Sequence, residues 1–117
     1  MKARLVRFGE IEVDGARYDR DIVLEGGRVT RRRKGPSKPY REAFGHTPLS
    51  LDEELPWGHR RLVIGTGAEG LLPVMDDVRR EARRRGVELI ELPTADACRL
   101  LSQDDPDDAA AILHVTC

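Results

Sequence analysis

Leu62-Val63-Ile64-Gly65-Thr66-Gly67-Ala68-Glu69-Gly70, taken with the helical pattern beyond it, decides the fold. Leu62-Val63-Ile64 is a short apolar run that ends at a glycine, the signature of a buried strand. Beyond it, Val74, Val78 and Ala82 repeat at helical spacing, with Met75 beside them, so residues 73–85 are expected to form a helix. Its charges suit its dipole: Asp76 and Asp77 in the first turn, Arg83 to Arg85 in the last. Gly86 is the natural residue to end it in a left-handed conformation. Val87 to Leu92 is the next strand, and Thr94 is placed to cap a helix that turns Ala97, Cys98 and Leu101 inward. Asp105-Pro106 breaks that helix, and Ala110 to Thr116 is a last strand. Strands that alternate with helices make an α/β layer.

Working back toward the start, the pattern changes. Leu5 to Phe8, Ile11 to Val13, Tyr18, Asp21 to Leu24 and Val29-Thr30 are short β-rich runs. Asp14-Gly15 and Gly26-Gly27 are hairpin dipeptides between them. This reads as a meander of antiparallel strands. Residues 34–49 contain Gly35, Pro36, Pro39, Gly45 and Pro48, which predicts a long irregular loop, and such loops tend to carry function. Ser50-Leu-Asp-Glu53 reads as a capping box that opens a short helix, stopped by Pro56 and Gly58.

The composition permits one globular domain, residues 1–117, with little left over for a second. Hydrophobic residues are 39% of the chain, and adding the 11 glycines brings the fraction into the ordinary globular range. With 20 basic and 21 acidic residues, no whole-molecule field drives the chain onto DNA or a membrane. The first residues lack the apolar stretch of roughly 7–15 residues that a secretory signal needs. The two cysteines have no paired spacing. A cytoplasmic protein with no disulfide, no membrane partner and no metal is the expectation.

Three features could carry chemistry. The first is Gly65-x-Gly67-x-x-Gly70, directly after a strand. A dinucleotide site is set aside, because Pro73 would fall inside the helix that such a turn opens and Glu69 would place a carboxylate beside the phosphates. A glycine-bent connection remains, or a loop whose free amides bind a small anion. The second is the basic run from Arg28 to Arg41, containing Arg31, Arg32, Arg33, Lys34 and Lys38 and no acid. Strand alternation puts Arg31 and Arg33 on one face, Arg32 and Lys34 on the other. A solvated strand end or an anionic partner suits it better than nucleic acid, because Tyr40 is its one aromatic. The third is histidine and cysteine placement. In a regular strand His114 and Cys117 point to opposite faces, which argues against a shared metal. Ser37, Lys38 and His46 could form a nucleophile, amine and base if the loop brought them together.

Taken together, Phe8-Gly-Glu-Ile-Glu-Val-Asp-Gly15, Tyr18, Asp21-Ile-Val-Leu24, Ser37-Lys38, His46 with Leu49-Ser50, Val63-Ile-Gly-Thr-Gly67 and Leu113-His-Val-Thr-Cys117 resemble the Mth938-like domain family over essentially the whole chain. The resemblance implies a three-layer α/β domain, a central mixed sheet flanked by helices with an N-terminal antiparallel β-meander. It supplies no catalytic residue, cofactor or substrate. Animal members are associated with fat-cell differentiation, and the distantly related mitochondrial complex I assembly factor 3 group with assembly, which implies interaction rather than turnover. The expectation is therefore a non-catalytic protein-binding or assembly-type module with an unidentified protein partner. The alternative is a small anionic or nucleotide-like ligand, held by Gly65, Thr66 and Gly67 with Lys38, Arg41 and His46, in a binding protein or an enzyme.

Overall fold

Two sheets organise the chain, and the computed structural model describes residues 1–117. Strands β1 (Ala3–Arg7), β2 (Glu10–Val13) and β3 (Ala16–Tyr18) pair antiparallel in that order. Asp14 and Gly15, at φ 48° and 86°, make the tight turn between β2 and β3. Strands β4 (Ile22–Glu25) and β5 (Arg28–Arg31) form a second hairpin, but they do not continue the first sheet. They join β6 (Arg61–Thr66), β7 (Glu88–Leu92) and β8 (Ala109–His114) in the order β5-β4-β8-β6-β7. The expected five-strand meander is thus divided, because β4 takes β8, from the other end of the chain, as its second neighbour. The larger sheet is mixed: β8 runs antiparallel to β4 and parallel to β6, and β6 runs parallel to β7.

Side-chain alternation along the central strands builds a core on each face. Val63 joins Ile22, Leu24, Ala111 and Leu113 on one side, covered by Ala97, Cys98 and Leu101 of helix α3 (Thr94–Gln103) and by Ile11 and Val13 of the small sheet. Leu62 and Ile64 join Ala110 and Ile112 on the other, beneath Val78 of helix α2 (Asp76–Arg85) and Leu49, Leu55, Leu72 and Val74. Both faces of β6 and β8 are therefore buried, as their unbroken apolar runs require. The result is a three-layer α/β architecture with a central mixed sheet. No helix is long and apolar enough to cross a membrane.

Four local expectations are corrected. Helix α2 begins at Asp76 rather than Pro73, because Val74 is held as a bridge to Leu49, with Leu49 N donating to Pro73 O at 2.8 Å and Met75 N to Leu49 O at 2.9 Å. Ser50 to Glu53 makes a turn and not a helix. The Glu53 carboxylate, which a capping box would have aimed at Ser50, reaches Arg32 instead. Thr94 is the first residue of α3, not its cap: its hydroxyl donates to His114 O at 2.5 Å and accepts from Gly67 N at 2.8 Å. Within the segment expected to be irregular, Gly35–Tyr40 forms a 3-10 turn and Arg41–Phe44 a single helical turn, α1.

Candidate functional site

Four positively charged residues from one stretch of chain meet the end of β8 in a cleft of about 320 Å³. Arg32 follows β5, Lys34 leads into the 3-10 turn, Lys38 lies within it, and Arg41 opens α1. His46 and Thr47 come after Gly45, whose φ of 75° turns the chain back at the end of α1. The opposite wall is His114, Thr116 and Cys117. β8 stops at His114, so the alternation assumed for His114 and Cys117 does not continue and both reach the same cleft. A broader groove of about 740 Å³ extends from it past Asp21, Arg31 and Pro36.

Beneath the cleft lies a buried polar network. Arg32 donates from Nε and Nη2 to the two Glu53 oxygens at 2.9 and 2.8 Å, from Nη2 to Pro48 O at 3.0 Å, and from Nη1 to Asp21 Oδ2 at 2.9 Å. The fork satisfies planar, bidentate geometry that a lysine could not. Ser37 Oγ donates to Glu53 Oε2 at 2.5 Å and lies 2.7 Å from Ser50 Oγ. Asp21 also receives Val115 N at 3.0 Å and faces His114 Nδ1 at 2.8 Å, while His114 Nε2 lies 3.2 Å from Thr116 Oγ1. Burial pushes the Asp21 carboxyl up, but the hydrogen bond and charge of His114, with Arg32 and the Val115 amide, outweigh it and hold the group below its ordinary value. Burial likewise works against the Arg32 cation, and Glu53 and Asp21 together overcome it and raise its pKa. The network fixes the 3-10 turn to the sheet and orients His114.

The residues singled out from sequence separate into two groups. Lys38, Arg41 and His46 line the cleft. Gly65, Thr66 and Gly67 do not; they lie behind residues 113–117, and the amides of Gly67, Ala68, Gly70 and Leu71 are occupied. Gly67 N bonds Thr94, Ala68 N bonds Thr116 O at 2.9 Å, Gly70 N bonds Gly67 O at 3.2 Å and Leu71 N bonds Cys117 O at 2.9 Å. A Cβ on Gly67 would stand 2.4 Å from Thr116 O, and Gly67 has a φ of 110°. The glycines let the segment after β8 pass against the β6 turn. Ser37 is fully buried and bonded to Glu53 and Ser50, so it does not share the cleft with Lys38 and His46 as a nucleophile would.

Sequence reasoning missed Lys34 and Thr116 as cleft residues. It noted His114 and Cys117 without placing them there. The basic run was the signal for Lys34, while nothing local marks Thr116. Chemically, Lys34, Lys38 and Arg41 are exposed and form no ion pair, in contrast to Arg32. With His46 on the rim and the Thr116 hydroxyl on the wall, they can surround a small group of two or more negative charges. Cys117 Sγ lies 3.7 Å from His46 Nδ1, a sulfur hydrogen bond at the cleft mouth. No three His, Cys, Asp or Glu side chains converge as a metal site.

Residues 4–114 match the family model described as "Protein of unknown function (DUF498/DUF598)". The conserved hypothetical protein PH1505 from Pyrococcus horikoshii OT3 is similar in structure at a TM-score of 0.83, with 33% identity over 100% of both chains. MT938 is similar at a TM-score of 0.68, with 25% identity over 99% of this chain and 98% of that one. A Mth938-like domain protein from Bordetella pertussis has a TM-score of 0.57 and 20% identity over 96% of this chain and 85% of its own, a likeness of fold. None of the curated proteins matches the chain. The chain belongs to the DUF498/DUF598 family of proteins of unknown function, the Mth938-like domain family.

Proposed function

We propose that this chain is a non-catalytic binding module of assembly type, and that its basic cleft holds an anionic group of a small ligand or partner. One observation carries the reading: Lys34, Lys38 and Arg41 converge unpaired on a cleft walled by His114 and Thr116. Like charges held together without counter-ions repel one another, and a bound dianion relieves that repulsion. Arg32 lies at the same cleft but is fully engaged by Glu53 and Asp21, so the ligand is met by the other three.

The test is calorimetry and thermal shift with inorganic phosphate, pyrophosphate and citrate. Saturable binding and a raised melting temperature are expected for at least one of them, since a ligand of the folded state stabilises it. Lys38→Ala and Arg41→Ala should each weaken that binding about tenfold, the loss of one charge-assisted contact of about 1.4 kcal/mol. An unchanged melting temperature across all three anions overturns the reading. So does binding that is indifferent to both substitutions. Robust turnover of a phosphoryl or acyl ester by the purified chain overturns the non-catalytic role.

A further inference from the structure

A chain of hydrogen bonds along the wall of the basic cleft constrains what an anion must bring with it. Asp21 accepts from Val115 N at Oδ1 and from Arg32 Nη1 at Oδ2, at 3.0 and 2.9 Å, so both oxygens of an ionised carboxylate face donors. His114 Nδ1 stands 2.8 Å from the same Oδ2. An ionised carboxylate only accepts, so Nδ1 carries a proton and donates it. That fixes the tautomer: in the neutral ring, Nε2 is a bare acceptor. Its partner is Thr116 Oγ1 at 3.2 Å, which donates to it. A hydroxyl has one proton, and with that proton committed to Nε2, Thr116 offers the cleft only lone pairs.

The two sides of the cleft therefore make opposite demands. Lys34, Lys38 and Arg41 attract negative charge, while Thr116 opposes an oxygen that has no proton. Two arrangements reconcile them. An oxyanion that keeps one acidic hydroxyl donates it to Thr116 Oγ1 and leaves the His114 ring neutral. A fully deprotonated oxyanion needs the Thr116 proton for itself. His114 Nε2 must then take a proton from solvent and donate it to Oγ1, with Asp21 still on Nδ1 to balance the imidazolium.

We propose, resting on the reading of the cleft as an anion site, that Thr116 selects oxyanions that carry a proton, with hydrogen phosphate favoured over sulfate above neutral pH. His114 and Asp21 are positioning residues that set the direction of the Thr116 hydroxyl. The charged and titratable groups facing His114 are Asp21 ahead of β4, Arg32 after β5, Lys34 and Lys38 of the 3-10 turn, Arg41 of α1, and His46 and Cys117. Asp19, Arg20, Arg31 and Arg33 line the broader groove that His114 shares. β6 and α3, packed against this end of β8, offer Thr66 and Thr94, which do not titrate. His46→Gln with Cys117→Ser is therefore the background for every measurement, leaving His114 as the one histidine of the cleft.

At about pH 8 phosphate and sulfate are both tetrahedral and divalent, and phosphate alone keeps a proton. Calorimetry there should give phosphate an affinity about tenfold above that of sulfate, the worth of one hydrogen bond to an otherwise unpaired acceptor. Thr116→Val, close in shape and without the hydroxyl, should bring the two anions to equal affinity. Sulfate should bind the chain that keeps Thr116 about tenfold more tightly at about pH 6 than at about pH 8. Near pH 7, sulfate binding should take up a proton, read in buffers of different ionisation heat. Nitrogen-15 signals of the His114 ring should show the Nδ1–H tautomer in the free chain and with phosphate, and the imidazolium with sulfate. Equal affinities at pH 8 overturn the proposal, as does a phosphate preference that survives Thr116→Val. A sulfate affinity independent of pH, or a free His114 protonated at Nε2 alone, also overturns it. In each of those results the cleft still binds anions and that reading stands, whereas no binding of either anion at any pH overturns both.

Discussion

Arg32 and Lys38 line the same cleft and carry the same formal charge, yet they stand in opposite electrostatic conditions. Arg32, its side chain 1% exposed, has a bidentate carboxylate, a second carboxylate and a carbonyl around it. Lys38 is exposed and has no counter-ion. A buried charge persists only where its partners are complete, so Arg32 serves the fold. Cations left unpaired beside one another gain nothing from folding, and their placement makes sense through what they attract. The difference separates the residues that build the cleft from those that use it.

Breaking the built half should have the largest effect. Arg32→Ala leaves Glu53 buried without its cation and Asp21 with His114 alone, and a loss of about 3–5 kcal/mol is expected in urea unfolding. A loss under about 1 kcal/mol would mean the network is hydrated and the contrast with Lys38 is false. Gly67→Ala comes next. Its φ alone costs about 1–3 kcal/mol, and the new methyl also meets Thr116 O. A marked fall in melting temperature is expected, together with disturbance of Thr116 and Cys117 at the cleft wall.

Acid sharpens the comparison further. Asp21 has a lower pKa folded than unfolded. The stability it contributes is therefore present above about pH 4, the unfolded value, and is lost as pH falls through the lower folded one. Asp21→Asn should flatten the acid limb of a stability–pH curve, and an unaltered limb would contradict the assignment. The smallest effect belongs to the unpaired side. Lys38→Ala should change stability by no more than about 0.5 kcal/mol while still weakening anion binding.

Much of this architecture was legible along the chain, wherever a local pattern and burial coincide. Leu62 to Ile64, Glu88 to Leu92 and the Ala97-Cys98-Leu101 face are in place, the second strand starting one residue after the expected Val87. Gly86 ends α2 at a φ of 68°. Reading failed where a polar side chain has two uses and a distant residue takes it. Glu53 could cap Ser50, but Arg32 is a better partner once burial removes water. Thr94 could cap α3, but His114 O and Gly67 N claim its hydroxyl. The division of the meander has the same origin, since β8 lies at the far end of the chain from β4.

The cleft was half legible for that reason. Lys38, Arg41 and His46 stand out within one basic, proline-broken stretch. Their facing wall, His114 to Cys117, arrives through the β4–β8–β6 pairing, which no local pattern announces. The glycine turn after β6 illustrates the converse. Its motif suggests free amides, whereas Thr94, Thr116 and Cys117 occupy those of Gly67, Ala68 and Leu71.

The most direct test of this division is an NMR titration of the labelled protein with inorganic pyrophosphate at low salt. Saturable shifts should concentrate at Lys34, Lys38, Arg41, His46 and Thr116, with the Arg32 guanidinium signals and the Gly67 and Ala68 amides nearly still. Shifts centred on Gly65 to Gly70, or shifts that grow without saturating and spread over every surface arginine, would contradict it.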